Sequence, residues 1–384
     1  MATQLSVPSL LTTEHRESLV LASYAMHSAD SRGRKHAEPE HRYRGAFQRD
    51  RDRILHCSAF RRLSGKMQVF TGDMGDYHRT RLTHTHEVAS IARTMGRALR
   101  LNEDLIEALA LFHDIGHPPF GHAGEDALDE LLPDHGGFSH NSNALTIAEE
   151  LEGRYPNFPG LNLTYEVLEG QETRVLKEPL PDPLPTDYRG PLLEVQMVEA
   201  ADSMTYDAHD SDDAVKLGLV SMAELESNTL VREAVARVRE HYVNVRGDVL
   251  RKAVVHELID RQVTDVLQLT SQRLAAYGPI NAEAARRLPL RIGCGPELCE
   301  LKQELEQFLY DRVYRHPKLI AVRAQAQLRL RAMFEGYLAK PELLPERHRR
   351  RADRLGPQRA VGDYLAGMTD RYCDQMYQLH FAGS

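Results

Sequence analysis

The chain has 384 residues, 42% hydrophobic and 27% charged, with a formal net charge of -8. That balance is ordinary for a globular protein able to bury a core unaided, and it argues against a surface given over wholly to nucleic acid. Cys57, Cys294, Cys299 and Cys373 suggest no disulfide framework. No second pair completes a zinc site with Cys294 and Cys299, so all four read as reduced thiols. No basic segment followed by an apolar one opens the chain, and no apolar run is long enough to span a bilayer. Both absences point to the cytoplasm.

From Asp30 to Arg62 the chain turns basic, with Arg32, Arg34, Lys35, Arg42, Arg44, Arg49, Arg51, Arg53, Arg61 and Arg62 outnumbering the acids between them. Such a run is ordinarily a solvated face, and the alternative is a phosphate-facing arm. Arg53 to Leu63 reads as one helix and Gly72 to His78 as a polar turn. Leu82 to Leu99 carries the clearest helical stripe, through Val88, Ile91, Ala92 and Met95, with His84 in its first turn. Asn102 caps the next helix, whose positive end suits Glu103 and Asp104 and which runs to His113.

That helix ends in the densest stretch of the chain, His113-Asp-Ile-Gly-His-Pro-Pro-Phe-Gly-His122-Ala-Gly-Glu125. Adjacent residues point roughly 100° apart on a helix and rarely share a ligand. Here Gly116, Pro118 and Pro119 stop the helix within a turn, so His113 and Asp114 can face one ion, with His117 and His122 on the loop beside it. Beyond Glu125 helix continues through Leu131, breaks at Pro133 to Gly137, and resumes near Asn141 toward Leu151. Tyr155 to Gly160 reads as a loop and the proline-rich 170–191 as an irregular insert. Leu192 to Asp210 is helical and sets Asp202, Tyr206 and Asp210 on one face. From Ser221 onward only helical periods appear, the long ones near Val249 to Tyr277 and Glu300 to Phe334. The breaks fall at Pro279, Arg287 to Pro296 and Lys340 to Pro345. No strand-like alternation persists, so the fold is expected to be all-α.

His84, His113, Asp114 and Asp202 could converge on one divalent metal. Mixed imidazole and carboxylate ligation suits Mn, Fe, Ni, Zn or, with more water, Mg. Such an ion leaves room for water and a phosphoryl oxygen. Alone, His84 would read as a satisfied core histidine; beside the His113-Asp114 pair it reads as a ligand. Asp202 reads equally as a solvated helix acid, and spacing alone does not choose. His86 lies about 200° around the helix from His84 and reads as packing. Glu125, three residues after His122, could hold and charge that imidazole, making His122 a proton donor or nucleophile-side catalyst. As a first-turn acid it needs no such role.

Four segments together resemble the HD-domain deoxynucleoside triphosphate triphosphohydrolases, the dGTPase-like family, with the vertebrate SAM-and-HD-domain dNTPase a more distant relative. They are Arg79-Thr-Arg-Leu-Thr-His84, the 113–125 stretch, Gly136-Gly-Phe-Ser-His140-Asn141 and Ala201-Asp202-Ser-Met-Thr-Tyr206-Asp-Ala-His-Asp210. Gly367-Met-Thr-Asp-Arg-Tyr372 adds to them, and the likeness spans roughly 40–384. It implies an all-α, HD-domain helical core with additional C-terminal helices, dividing the chain into three. These are an N-terminal arm over 1–40, expected to be partly disordered, an HD phosphohydrolase core over 41–220, and a helical region over 221–384 packed on it. It also implies hydrolysis of a dNTP to deoxynucleoside and inorganic tripolyphosphate.

By matching motif position, His84, His113, Asp114 and Asp202 would be the metal ligands, and His122 with Glu125 the catalytic pair, supported by His117 and His140. Arg81 would contact phosphate, while Gln68, Tyr206 and Asp210 would recognise the sugar. Tyr206 against the ribose would leave little room for a 2'-hydroxyl. The sequence departs from the family at His86, commonly apolar there, at Ser203, often acidic, and over 170–191, which carries no substrate residue across. The likeness extends to homo-oligomers, some of which bind single-stranded nucleic acid. The rivals are another HD-domain nucleotide phosphohydrolase and a nucleotide-sensing nucleic-acid-binding protein, the latter favoured by the basic arm.

Overall fold

The computed structural model describes residues 11–68, 79–176 and 185–382. The described residues are helical, their only bridges being the isolated pairs Arg34 with Thr164 and Met67 with Thr80. No helix among them is long and apolar enough to cross a membrane. The Gly72 to His78 turn lies outside the described residues.

The centre is a layer of three helices, Arg81–Ala98, Glu103–Phe112 and Leu193–Lys216. Thr80 accepts the Thr83 N–H to start the first, and Asn102 accepts the N–H groups of Asp104 and Leu105 to start the second. Val88, Ala92, Met95, Leu105, Ile106, Leu109 and Ala201 bury their stripes together. Gly96 makes the close approach possible, since a Cβ there would lie 2.2 Å from Ile106 Cδ1. A second core forms where the far end of Leu193–Lys216 meets Thr229–His241, Gly247–Tyr277 and Pro296–Leu309. A third joins Gly121–Leu131 to Pro317–Ala339, Pro357–Ala366 and Asp370–His380.

Four expectations need correction. The 53–63 helix is two, Ala46–Leu55 and Ser58–Arg62. Cys57 breaks it by accepting the Phe60 N–H through Sγ, and Glu152 takes the Ala59 N–H. The supposed insert begins as helix, Tyr165–Leu176, because every proline of 170–191 lies beyond Leu176. Buried Asp50 fixes its start through the Thr164 N–H and hydroxyl. The long period near Glu300 to Phe334 is interrupted at Tyr310–Tyr314 and Arg315 before Pro317 restarts it. Cys294 and Cys299 are joined as a disulfide, their Cα atoms brought to 5.5 Å by the turn entering Pro296–Leu309. Cys57 and Cys373 are free and buried.

The basic arm is largely neutralised. Arg32 meets Glu166 and Glu169, Arg34 meets Asp50, Arg44 meets Asp52, Arg51 meets Asp52 and Glu107, and Arg49 and Arg53 meet Glu38. Most of these pairs lie within the arm, while Arg32 and Arg51 tie it to the core, which weakens the feature favouring a nucleic-acid-binding protein.

Gly116 is a point of backbone contact between the 113–117 loop and His140–Thr146. A Cβ there would lie 1.9 Å from His140 O and 2.5 Å from Ala144 N. Neither atom belongs to a side chain that could swing away. Gly116→Ala is expected to cost about 1–3 kcal/mol in urea denaturation, as overpacking does. An unchanged midpoint would show that the loop yields freely.

Candidate active site

Three helices deliver the candidate ligands. His84 comes from the first turns of Arg81–Ala98, His113 from the C-cap of Glu103–Phe112, and Asp202 from the middle of Leu193–Lys216. Their ligating atoms all lie within 4.8 Å of one another. His84 Nε2 is 3.2 Å and His113 Nε2 3.7 Å from Asp202 Oδ1. Asp114 stands at the edge of this group, its Oδ1 3.4 Å from His113 Nε2.

The donor set fits a cation. His113 Nδ1 donates to Ala110 O at 2.6 Å, which leaves a lone pair on Nε2. That Nε2 is buried with no hydrogen-bond partner, a costly arrangement unless an electrophile faces it. Burial also holds the His113 imidazole below its ordinary range despite Asp114 and Asp202. Burial would raise the Asp202 carboxyl, but His113, Arg174 and His84 outweigh it and keep it well below the carboxylate range. The imidazole of His113, that of His84 bonded to Asp202, and ionised carboxylates are the ligand types a divalent ion takes.

The second group is continuous with the first. His117 Nδ1 lies 3.1 Å from Asp114 Oδ1, and its ring stacks on His140 at 3.8 Å. Glu125 Oε1 accepts from both the His140 backbone N–H (2.8 Å) and its Nδ1 (2.7 Å). Its other oxygen accepts from His122 Nδ1 at 3.1 Å. Burial would raise Glu125, but the His122 and His140 hydrogen bonds hold it far below the carboxylate range. An ionised carboxylate only accepts, so His122 Nδ1 donates and Nε2 is the working atom. The His122 side chain is 60% exposed, so Nε2 is open to a ligand. Burial, with Arg81 and His140, holds His117 well below its usual range, which keeps it neutral.

The remaining expected residues are distributed around these groups. Arg81 is buried with Nη1 on Asp114 Oδ2 at 3.0 Å and Nη2 3.3 Å from Gln68 O, so here it braces a candidate ligand. Gln68 is buried, and its Oε1 has no hydrogen-bond partner. A cleft of about 290 Å³ opens beside Asp202, lined by His140, Asn141, Arg174, Glu199, Ser203 and Tyr206. Tyr206 stacks at 6.1 Å on Tyr314, whose hydroxyl donates to buried Asp210. His86 is turned away, edge-on to Phe60 at 6.0 Å.

Two residues of this region escaped the sequence reading. Arg174 donates to Asp202 Oδ2 at 2.6 Å and lines the cleft. Its signal was the apolar stripe of Val167, Leu168 and Val175, masked by the prolines that follow. Tyr314 carries no such signal, because only the fold brings it to Asp210.

Burial pushes the Asp210 carboxyl up to about 7 despite the Tyr314 hydroxyl. A carboxyl raised in the folded state contributes stability that is complete below its ordinary range and is lost as pH rises through about 7. Asp210→Asn is therefore expected to flatten the decline in melting temperature between about pH 4 and pH 7. A decline as steep as that of the unaltered protein would contradict this.

A family model of the HD domain matches residues 81–207, and one of a phosphohydrolase-associated domain matches 292–379. The chain is 42% identical over 361 residues to a deoxyguanosinetriphosphate triphosphohydrolase-like protein of Geobacter sulfurreducens, covering 92% of each. It is 41% identical over 361 residues to a protein of the same description from Bordetella pertussis, covering 92% of this chain and 94% of that one. A third, from Nitrosomonas europaea, is 40% identical over 367 residues, with 94% and 98% covered. Similarity of this depth along nearly the whole length, joined to an all-helical HD core, means that the chain belongs to the deoxyguanosinetriphosphate triphosphohydrolase-like family of HD-domain phosphohydrolases.

Proposed function

We propose that the protein hydrolyses deoxynucleoside triphosphates, with a dGTP-like substrate, to deoxynucleoside and inorganic tripolyphosphate. The observation that carries this reading is the continuity of two groups. The group of His84, His113 and Asp202, with Asp114 at its edge, passes through His117 and His140 into the Glu125–His122 pair. His84, His113, Asp114 and Asp202 would hold a divalent ion, which would supply positive charge to polarise a phosphoryl oxygen and acidify water.

The chain's own residues do the rest. Water adds at the α-phosphorus as the bond from phosphorus to the sugar 5'-oxygen breaks. His122 gives its proton to that departing oxygen, and the proton of the attacking water is released. Glu125 keeps the imidazole oriented through its hydrogen bond to Nδ1. His117 and His140, stacked on each other, support that pair, while Arg81 and Arg174 hold the carboxylates of Asp114 and Asp202 in place. Tyr206, braced by Tyr314, closes the space a 2'-hydroxyl would need, and Asp210 and Gln68 address the sugar.

The test is to incubate metal-reconstituted protein with each dNTP and identify both products by chromatography. Deoxynucleoside with intact tripolyphosphate is expected. Deoxynucleoside monophosphate with pyrophosphate, or turnover confined to monophosphates, cyclic dinucleotides or a guanosine alarmone, would favour another HD phosphohydrolase. The family likeness extends the proposal to a cytoplasmic homo-oligomer. Light scattering tests the assembly, and the salt slope of binding tests any contact with single-stranded nucleic acid.

A further inference from the structure

The segment Gly367 to Tyr372 lies far along the chain from His122 and Gln68, yet it is bonded to their neighbours. Thr369 accepts the Tyr372 N–H to start Asp370–His380, which leaves the Asp370 side chain directed inward. One Asp370 oxygen accepts the Phe120 N–H at 2.9 Å and the other accepts the Met67 N–H at 3.0 Å. Phe120 precedes the helix that carries His122 and Glu125, and it adopts the left-handed conformation, with φ 65°. Met67 precedes Gln68. Lys66, fully buried, donates Nζ to His117 O and to Ala366 O. Two loops, at 66–68 and 117–120, are therefore fastened to the C-terminal region through one carboxyl group and one lysine, the first loop also meeting Arg81 of the core.

We propose that Asp370 is a positioning residue for the hydrolytic site, aiming His122 through Phe120 and Gln68 through Met67. The C-terminal region then completes the active site from beneath and is more than a packing partner. This inference rests on the function proposed above, because it assigns Asp370 to the same reaction.

Asp370→Asn is the informative substitution, since it preserves volume but turns one acceptor into an amide donor facing an N–H. The loops must then shift, while His84, His113 and Asp202 stay on their helices. The expected result is kcat lower by about 10- to 100-fold, the scale of a small misplacement of catalytic groups. Metal content per chain should be unchanged, and the melting temperature should stay within a few degrees. Amide hydrogen exchange should rise at Met67 and Phe120 but not along Arg81–Ala98. A wild-type kcat per folded, metal-loaded chain would overturn the inference, and so would loss of metal in proportion to activity. If the Asn variant does not fold, Asp370→Glu, one methylene longer, takes the same measurements with the same outcomes. Should the unaltered protein hydrolyse no dNTP, the proposed function fails, and exchange still decides the point. Unchanged protection at Met67 and Phe120 would sink the positioning role.

Discussion

His113→Ala is expected to abolish metal retention and to lower dNTP turnover by about a thousandfold or more, with helical content nearly unchanged. The size follows from the several kcal/mol of charge stabilisation that a metal supplies, each 1.36 kcal/mol being about tenfold in rate. The selectivity follows from where the ring sits. His113 is the C-cap of its helix, and among the described residues its ring makes one hydrogen bond, from Nδ1 to Ala110 O. Removing the ring therefore deletes the orphaned Nε2 without unpairing the backbone ladder. Circular dichroism, metal analysis and product chromatography on one preparation check it. Turnover that persists with the metal still bound would show that His113 is not a ligand.

His122→Ala should separate chemistry from metal binding. A positioned general acid is worth about 10²- to 10⁴-fold, and kcat should fall within that range. Metal content should not change, because His122 is exposed and bonded only to Glu125, away from the ligand atoms. Glu125→Gln should lower kcat as well, since its amide would face an N–H of His122 or His140 where the carboxylate now accepts from both. The double variant should be little worse than His122→Ala alone, as residues acting as one unit are not additive. Full activity in His122→Ala would place the proton donor elsewhere.

Much of the site was legible because its residues announce themselves locally. The helix stop at Gly116 to Pro119 forces His113 and Asp114 to one side, and the three-residue spacing sets His122 against Glu125. What the sequence could not supply was anything decided by packing between distant elements. Asp202 read equally as a solvated acid until the helix on which it lies was seen beside His84. Tyr314 lies on a stretch that reads as continuous helix, and only the break at 310–316 turns it toward Asp210. Arg174 was hidden by prolines that begin after its helix has ended. The Cys294–Cys299 pairing is not legible in a spacing of five residues, because it depends on the turn that brings their Cα atoms to 5.5 Å.

The proposed chemistry requires His84, His113, Asp114 and Asp202 to share a single cation. X-ray absorption of manganese-loaded protein, with metal content measured on the same sample, addresses that sharing directly. One ion per chain with two imidazole nitrogens and carboxylate oxygens in its inner shell is the predicted result. An ion without imidazole ligands, or a chain that retains none, would contradict it.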